Sequence, residues 1–327
     1  MSARLWSQRR ERGSVTLVRL MIWLSLNLGR ASGYVLLYPI ALYFYLFAPA
    51  ARTASRGFLT RVLGRKAAVA DIARHIFTFA CVLFDRVFLL SNRTARFDIQ
   101  AAGVADVTAA LAQSRGCLLF GAHLGSFEVL RCFGRQSPVP VKVLMYRGNG
   151  GAYTDLVEAL DPALQQDIIE IGTPEAMLRV RESLQRGEMV GILADRTPGG
   201  DKTVTVPFLG DSAPFPTGPF LLAAALDVPV VLFFGIRTGP RRYTVHFEHF
   251  ADRIAVDRAN RTAQTAVWVQ RYASRLEHFC RLYPLNWFNF YDFWSAAAVP
   301  SSAPRPVAVH RALHARDGDG RLSVADR

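Results

Sequence analysis

A chain of 327 residues with 51% hydrophobic residues and a mean hydropathy of +0.16 holds enough apolar material for a large core, which excludes disorder over most of its length. Its net charge of +13 calls for an anionic partner, and where that charge sits decides which. Residues 1–66 carry a net +10, the tail from 299 carries +2 and residues 67–298 only +1, a layout that brackets an apolar segment and argues against nucleic acid.

From the N-terminus, "VTLVRLMIWLSLNLGR" (15–30) is an apolar run broken by Arg19 and reads as an interfacial amphipathic helix. "ASGYVLLYPIALYFYLFAPA" (31–50) carries no charge and has about the length a bilayer needs. Tyr34, Tyr38, Tyr43 and Tyr45 with flanking Arg suit a membrane interface, and Pro39 is expected to kink the helix. The segment crosses the bilayer, lies flat in it or, on the blander reading, forms a buried core helix pair with the run before it. The apolar run starts late and no A-x-A site follows closely, which argues against a cleaved signal peptide.

A helix is expected over 68–91. Short apolar runs then alternate with longer amphipathic ones. Strands are expected at 117–122, 141–146, 167–172, 189–195, 228–236 and 242–250. Helices are expected at 103–114, 125–133, 152–160, 174–186, 217–226 and 260–282. This alternation predicts an α/β fold: one domain, with a central mixed, mostly parallel sheet flanked by helices, preceded by an N-terminal membrane-associated helical segment. The boundaries are 1–66 for the anchoring segment, 67–298 for the domain and 299–327 for a polar tail expected to be disordered. Cys81, Cys117, Cys132 and Cys280 form no C-x-x-C pair and read as reduced, structural thiols of a cytoplasmic compartment. His246 and His249 fall on opposite faces of their strand, and no other pattern suggests a metal.

Chemistry concentrates in "FGAHLGSFE" (120–128). A lone His follows a strand, and a Glu stands five positions later. On one regular helix the two side chains would sit about 140° apart. They can meet if His123 lies on the turn and Glu128 in the first helical turn, with Gly121 and Gly125 permitting the turn and Ser126 as N-cap. Glu128 could then hold one imidazole N–H and leave the other nitrogen as a base. That is a catalytic triad without its own nucleophile, which the substrate must supply. Arg147 follows the strand at 141–146, where a guanidinium suits a phosphate or carboxylate. Asp195 and Arg196 follow the strand at 189–195, at the sheet edge where open α/β sheets keep ligands.

"HLGSFE" resembles the H-x-x-x-x-[DE] motif of the lysophospholipid acyltransferase superfamily, and the chain is most similar to its lipid A biosynthesis (lauroyl/myristoyl) branch. "VLMYRGNGG" (143–151), "GILADRTPGG" (191–200) and "VPFLGDSAPFPTGPFLLAAALDVPVVLFFG" (206–235) resemble that branch's later blocks, in order. Asp195-Arg196 departs from the usual Asp-Gln. "NWFNFYDFW" (286–294) has no counterpart among those blocks. The resemblance implies His123 and Glu128 as a catalytic pair, with Arg147, Asp195, Arg196, Gly125 and Ser126 binding substrate. It implies an acyl thioester donor, on acyl carrier protein or coenzyme A, and a lipid or glycolipid acceptor, with no metal or other cofactor. It implies a bacterial inner membrane location with the catalytic domain on the cytoplasmic face. A membrane ester hydrolase or a non-catalytic protein of the same fold remains an alternative. The hydrolase would need G-x-S-x-G, and "GAHLG" has His at the Ser position.

Overall fold

A computed structural model of the chain describes residues 22, 23, 27, 29–91, 93–113, 116–130, 139–145, 164–173, 175–196 and 202–294. In chain order the elements are α1 (Arg30–Phe47), α2 (Pro49–Leu63), α3 (Val69–Leu90), β1 (Asp98–Ala102), α4 (Val104–Gln113), β2 (Cys117–Gly121), β3 (Val141–Met145), β4 (Ile168–Glu170), α5 (Ala176–Gln185), β5 (Met189–Leu193), β6 (Thr203–Phe208), β7 (Asp211–Pro216), α6 (Gly218–Leu226), β8 (Val230–Arg237), β9 (Arg242–Ala251) and α7 (Arg261–Leu282).

The six expected strands all form. Among the described residues a seven-stranded sheet runs in the order β1-β9-β8-β2-β5-β3-β4. Every pairing is parallel except β8 with β9. The chain is therefore α/β with a mixed, mostly parallel sheet flanked by helices. The unbroken apolar run of β2 places it at the centre, with all five residues buried. Its side chains alternate between two layers. Leu118 and Phe120 join the core under α2, α6 and α7, while Cys117 and Leu119 join the core under α3 and α4. Cys81, Cys117 and Cys280 are free and buried.

Two features escaped the sequence pattern. The edge strand β1 is almost wholly exposed and offers no apolar alternation to read. The β6–β7 ribbon carries Pro207, Pro214 and Pro216, which argue against strands by their missing N–H. Its turn is Leu209-Gly210, both at positive φ (53° and 87°), the geometry of a tight two-residue hairpin.

Pro39, where a kink was expected, lies inside the continuous helix α1, and the chain bends by 93° between α1 and α2. Pro49 opens α2 and forces Ala48 out of helical geometry (φ −118°, ψ 68°). No single described helix is long and apolar enough to cross a membrane, although the bent pair passes on length and composition together. One side of α1 leaves Val35, Tyr38, Leu42, Tyr43, Leu46 and Phe47 exposed. Its other side is tied down: Arg30 Nε donates to the fully buried Asp85 Oδ1 on α3 at 2.9 Å, and Tyr243 Oη donates to Asp85 Oδ2 at 2.8 Å. Helix α2 sends Phe58 and Leu59 into the main core. The expected helix at 125–133 begins at 128, because 125–127 form a bridge and turn, and its residues beyond 130 lie outside the described ones. The helix at 152–160, the run upstream of α1 apart from Ile22, Trp23, Asn27 and Gly29, Cys132 and the tail from 299 lie outside the described residues.

Candidate active site

Strands β2 and β5 are parallel neighbours, with Gly121 opposite Leu193. The Ala194 N–H donates to Gly121 O at 2.9 Å and carries the ladder one residue further. His123 and Asp195 each stand two residues past that matched pair. The register alone therefore brings them together at the carboxyl edge of the sheet.

Asp195 is fully buried and receives three hydrogen bonds. The His123 Nδ1 lies 2.8 Å from Oδ1, while the His123 backbone N–H and the Trp287 indole N–H both donate to Oδ2 at 3.0 Å. Burial works against the Asp195 charge. The imidazole, the Arg196 guanidinium and the indole N–H overrule it and hold the carboxyl well below the usual range. An ionised carboxylate only accepts, so Nδ1 carries the proton and Nε2 presents its lone pair. The ring is one-third exposed. Burial, helped by Arg196, pushes the His123 pKa below the ordinary histidine value, against the pull of Asp195. The result is a neutral imidazole with an oriented lone pair.

The turn after His123 depends on Gly125, at φ +76°. Its N–H donates to Asn286 O at 2.9 Å, and the next N–H, of Ser126, donates to Gly235 O at 2.7 Å. A Cβ at position 125 would stand 1.9 Å from Gly235 O. Gly125→Ala is therefore expected to destabilise the fold by more than about 1 kcal/mol, from positive φ and the clash together. A urea midpoint equal to that of the unmodified protein would contradict this.

Glu128 does not hold the imidazole, contrary to the expectation from its spacing. Its Oε1 lies 2.6 Å from Arg86 Nε on α3, and its Oε2 accepts from the Ser126 hydroxyl at 2.9 Å. The turn places Glu128 beside α3, while the strand register has already put Asp195 against Nδ1. Ser126, expected as an N-cap, is buried and spends its hydroxyl on Glu128. Arg196 stays at the site: its Nη2 donates to Phe288 O at 3.0 Å, and its guanidinium stands 5.7 Å from the Tyr291 ring centroid. Arg147 lies outside the described residues.

Sequence reasoning missed Arg86 and Trp287. Arg86 was signalled by an Asp-Arg pair in the otherwise uncharged second half of α3, Ile76–Leu90. Trp287 sat in "NWFNFYDFW", whose repeated Asn among aromatics marks an interior segment with polar duties. Residues 286–288 run antiparallel to the turn that carries His123, with Leu124 bridged to Trp287 and the Phe288 N–H donating to His123 O at 2.9 Å.

Compared with known families, the chain matches the family described as bacterial lipid A biosynthesis acyltransferase over residues 10–295. No curated protein matches it.

Proposed function

The chain belongs to the bacterial lipid A biosynthesis acyltransferase family, and from that premise we propose that His123 is the general base of an acyl transfer from a thioester to a lipid A-like acceptor. What supports this above all is the imidazole. It is neutral, with Nδ1–H given to a buried carboxylate and Nε2 left as the proton acceptor.

In this mechanism Nε2 takes the proton from an acceptor hydroxyl or amine. The oxygen or nitrogen attacks the thioester carbonyl carbon and forms a tetrahedral intermediate. Its collapse breaks the C–S bond, and the leaving thiolate takes the proton back from Nε2. Asp195 stabilises the imidazolium between the two transfers. Glu128, locked to Arg86 and Ser126, fixes the turn that carries His123 relative to α3 and does not touch the proton. The donor is carried on acyl carrier protein or coenzyme A. Arg147 and Arg196 supply cationic groups for the anionic parts of donor and acceptor.

The electrostatics give a pH test. Activity should fall on the acid side only below about pH 6.5, the ordinary histidine value. Arg196→Met removes a cation that disfavours the imidazolium, so the acid limb of kcat/KM should move to higher pH. A limb that stays put or moves lower would refute the assignment of His123 as the titrating base.

We place the protein on the cytoplasmic face of the inner membrane, held by the exposed apolar side of α1 and the basic residues around it. Because α2 is part of the core, deleting residues 1–66 would test folding and not anchoring. Replacing Leu42, Tyr43, Leu46 and Phe47 together by Ser spares the core. It is expected to release a folded protein from membranes on sedimentation. Unchanged sedimentation would put the anchor elsewhere.

A further inference from the structure

Behind the site a buried line of hydrogen bonds leads to the N-terminal helices. Ser55 on α2 and His75 on α3 are both fully buried. The His75 Nε2 lies 2.9 Å from Trp287 O, and its Nδ1 lies 2.8 Å from Ser55 Oγ. A carbonyl oxygen only accepts, so Nε2 carries the proton and Nδ1 accepts from the Ser55 hydroxyl. Burial pushes the His75 pKa down to about 4, so the ring stays neutral at physiological pH.

From the same Trp287 the indole N–H reaches Asp195. The indole is walled by Phe58, Phe208 and Phe293, with ring centroids at 4.9, 5.4 and 5.1 Å. Packing of that density holds the N–H on the carboxylate. Ser55, His75, Trp287, Asp195 and His123 thus form one continuous chain of hydrogen bonds from α2 to the imidazole.

We propose that His75 and Trp287 are positioning residues for the transfer: together they hang the Asp195 carboxylate, and through it the His123 imidazole, from helices α2 and α3. The proposal rests on His123 being the base. It gives a reason for a neutral histidine among the rings of Phe58, Phe288 and Phe290. Its two nitrogens join a hydroxyl on α2 to the backbone of the segment that holds Asp195. It also makes the geometry of the base depend on α2, the helix joined to the exposed apolar α1.

The test uses the full-length protein in membranes, with Trp287→Phe, His75→Phe, His75→Gln and the double variant His75→Phe/Trp287→Phe. Trp287→Phe and His75→Phe should each lower kcat, by up to about 100-fold, and leave KM for donor and acceptor unchanged. His75→Gln keeps an N–H for Trp287 O and should recover most of the activity that His75→Phe loses. Trp287→Phe also takes a donor from the Asp195 charge, so the carboxylate pulls harder on the imidazolium and the acid limb of kcat moves to higher pH. The double variant should lose no more than the worse single one, because both act through one chain of contacts. Losses that multiply in the double variant, equal kcat for His75→Phe and His75→Gln, or a folded Trp287→Phe with unaltered kcat and pH limb would each overturn the proposal. His123→Ala in the same assay separates the two levels. Activity there sinks the base itself, whereas an inactive His123→Ala beside a fully active Trp287→Phe sinks only the positioning role.

Discussion

Asp195→Asn is expected to lower kcat by about 10³- to 10⁴-fold, the size of loss that follows when the carboxylate orienting a catalytic histidine becomes an amide. The geometry says why. Oδ2 receives two N–H groups, from the His123 backbone and the Trp287 indole, so the amide oxygen of Asn must occupy that place. Its NH2 then faces the imidazole Nδ1, 2.8 Å away in the unmodified protein. Nδ1 becomes the acceptor, Nε2 takes the proton and the base is lost. The fold should survive, since size and most contacts are kept. Glu128→Gln is the contrast. It keeps the bond from Ser126 and loses only the charge facing Arg86, so its loss should stay near tenfold or less. If instead the Glu128 variant is dead and the Asp195 variant active, measured side by side as turnover of the same thioester, the assignment is reversed.

His123→Ala is expected to bring transfer down by at least about 10²-fold and as much as 10⁴-fold, the range for a positioned general base. It should leave the fold in place. The backbone N–H of residue 123 still donates to Asp195, and its carbonyl still accepts from Phe288. The substitution does strip a donor from a buried carboxylate, so a modest fall in thermal stability is expected with it. A folded His123→Ala protein in membranes with normal turnover would end this mechanism.

Much of this was legible in the sequence. Central strands such as Cys117–Gly121 announce themselves because burial on both faces demands unbroken apolar runs. The His motif was legible because a glycine turn after such a strand is unusual. The carboxylate that meets the imidazole was not, because local spacing favoured Glu128 while strand register brings Asp195 to Nδ1. Asp195 lies far away in sequence but at the same height on the neighbouring strand. Two residues past the end of each of two adjacent parallel strands is a rule that could have paired them, given the strand order. The β6–β7 ribbon and the bend at Ala48 were hidden for a different reason. Proline at one position argues against a strand, and at another it opens a helix, so its effect depends on the contacts around it. Trp287 could not be assigned a role before the fold placed its segment along the turn that carries His123.

The most direct measurement follows labelled acyl groups from a thioester, in membranes holding the unmodified protein or His123→Ala. The label is predicted to leave the thioester and appear in ester or amide linkage on a lipid A-like acceptor with the unmodified protein, and to remain on the thioester with His123→Ala. Release of the label only as free fatty acid, or equal transfer by both proteins, would contradict acyl transfer with His123 as the base.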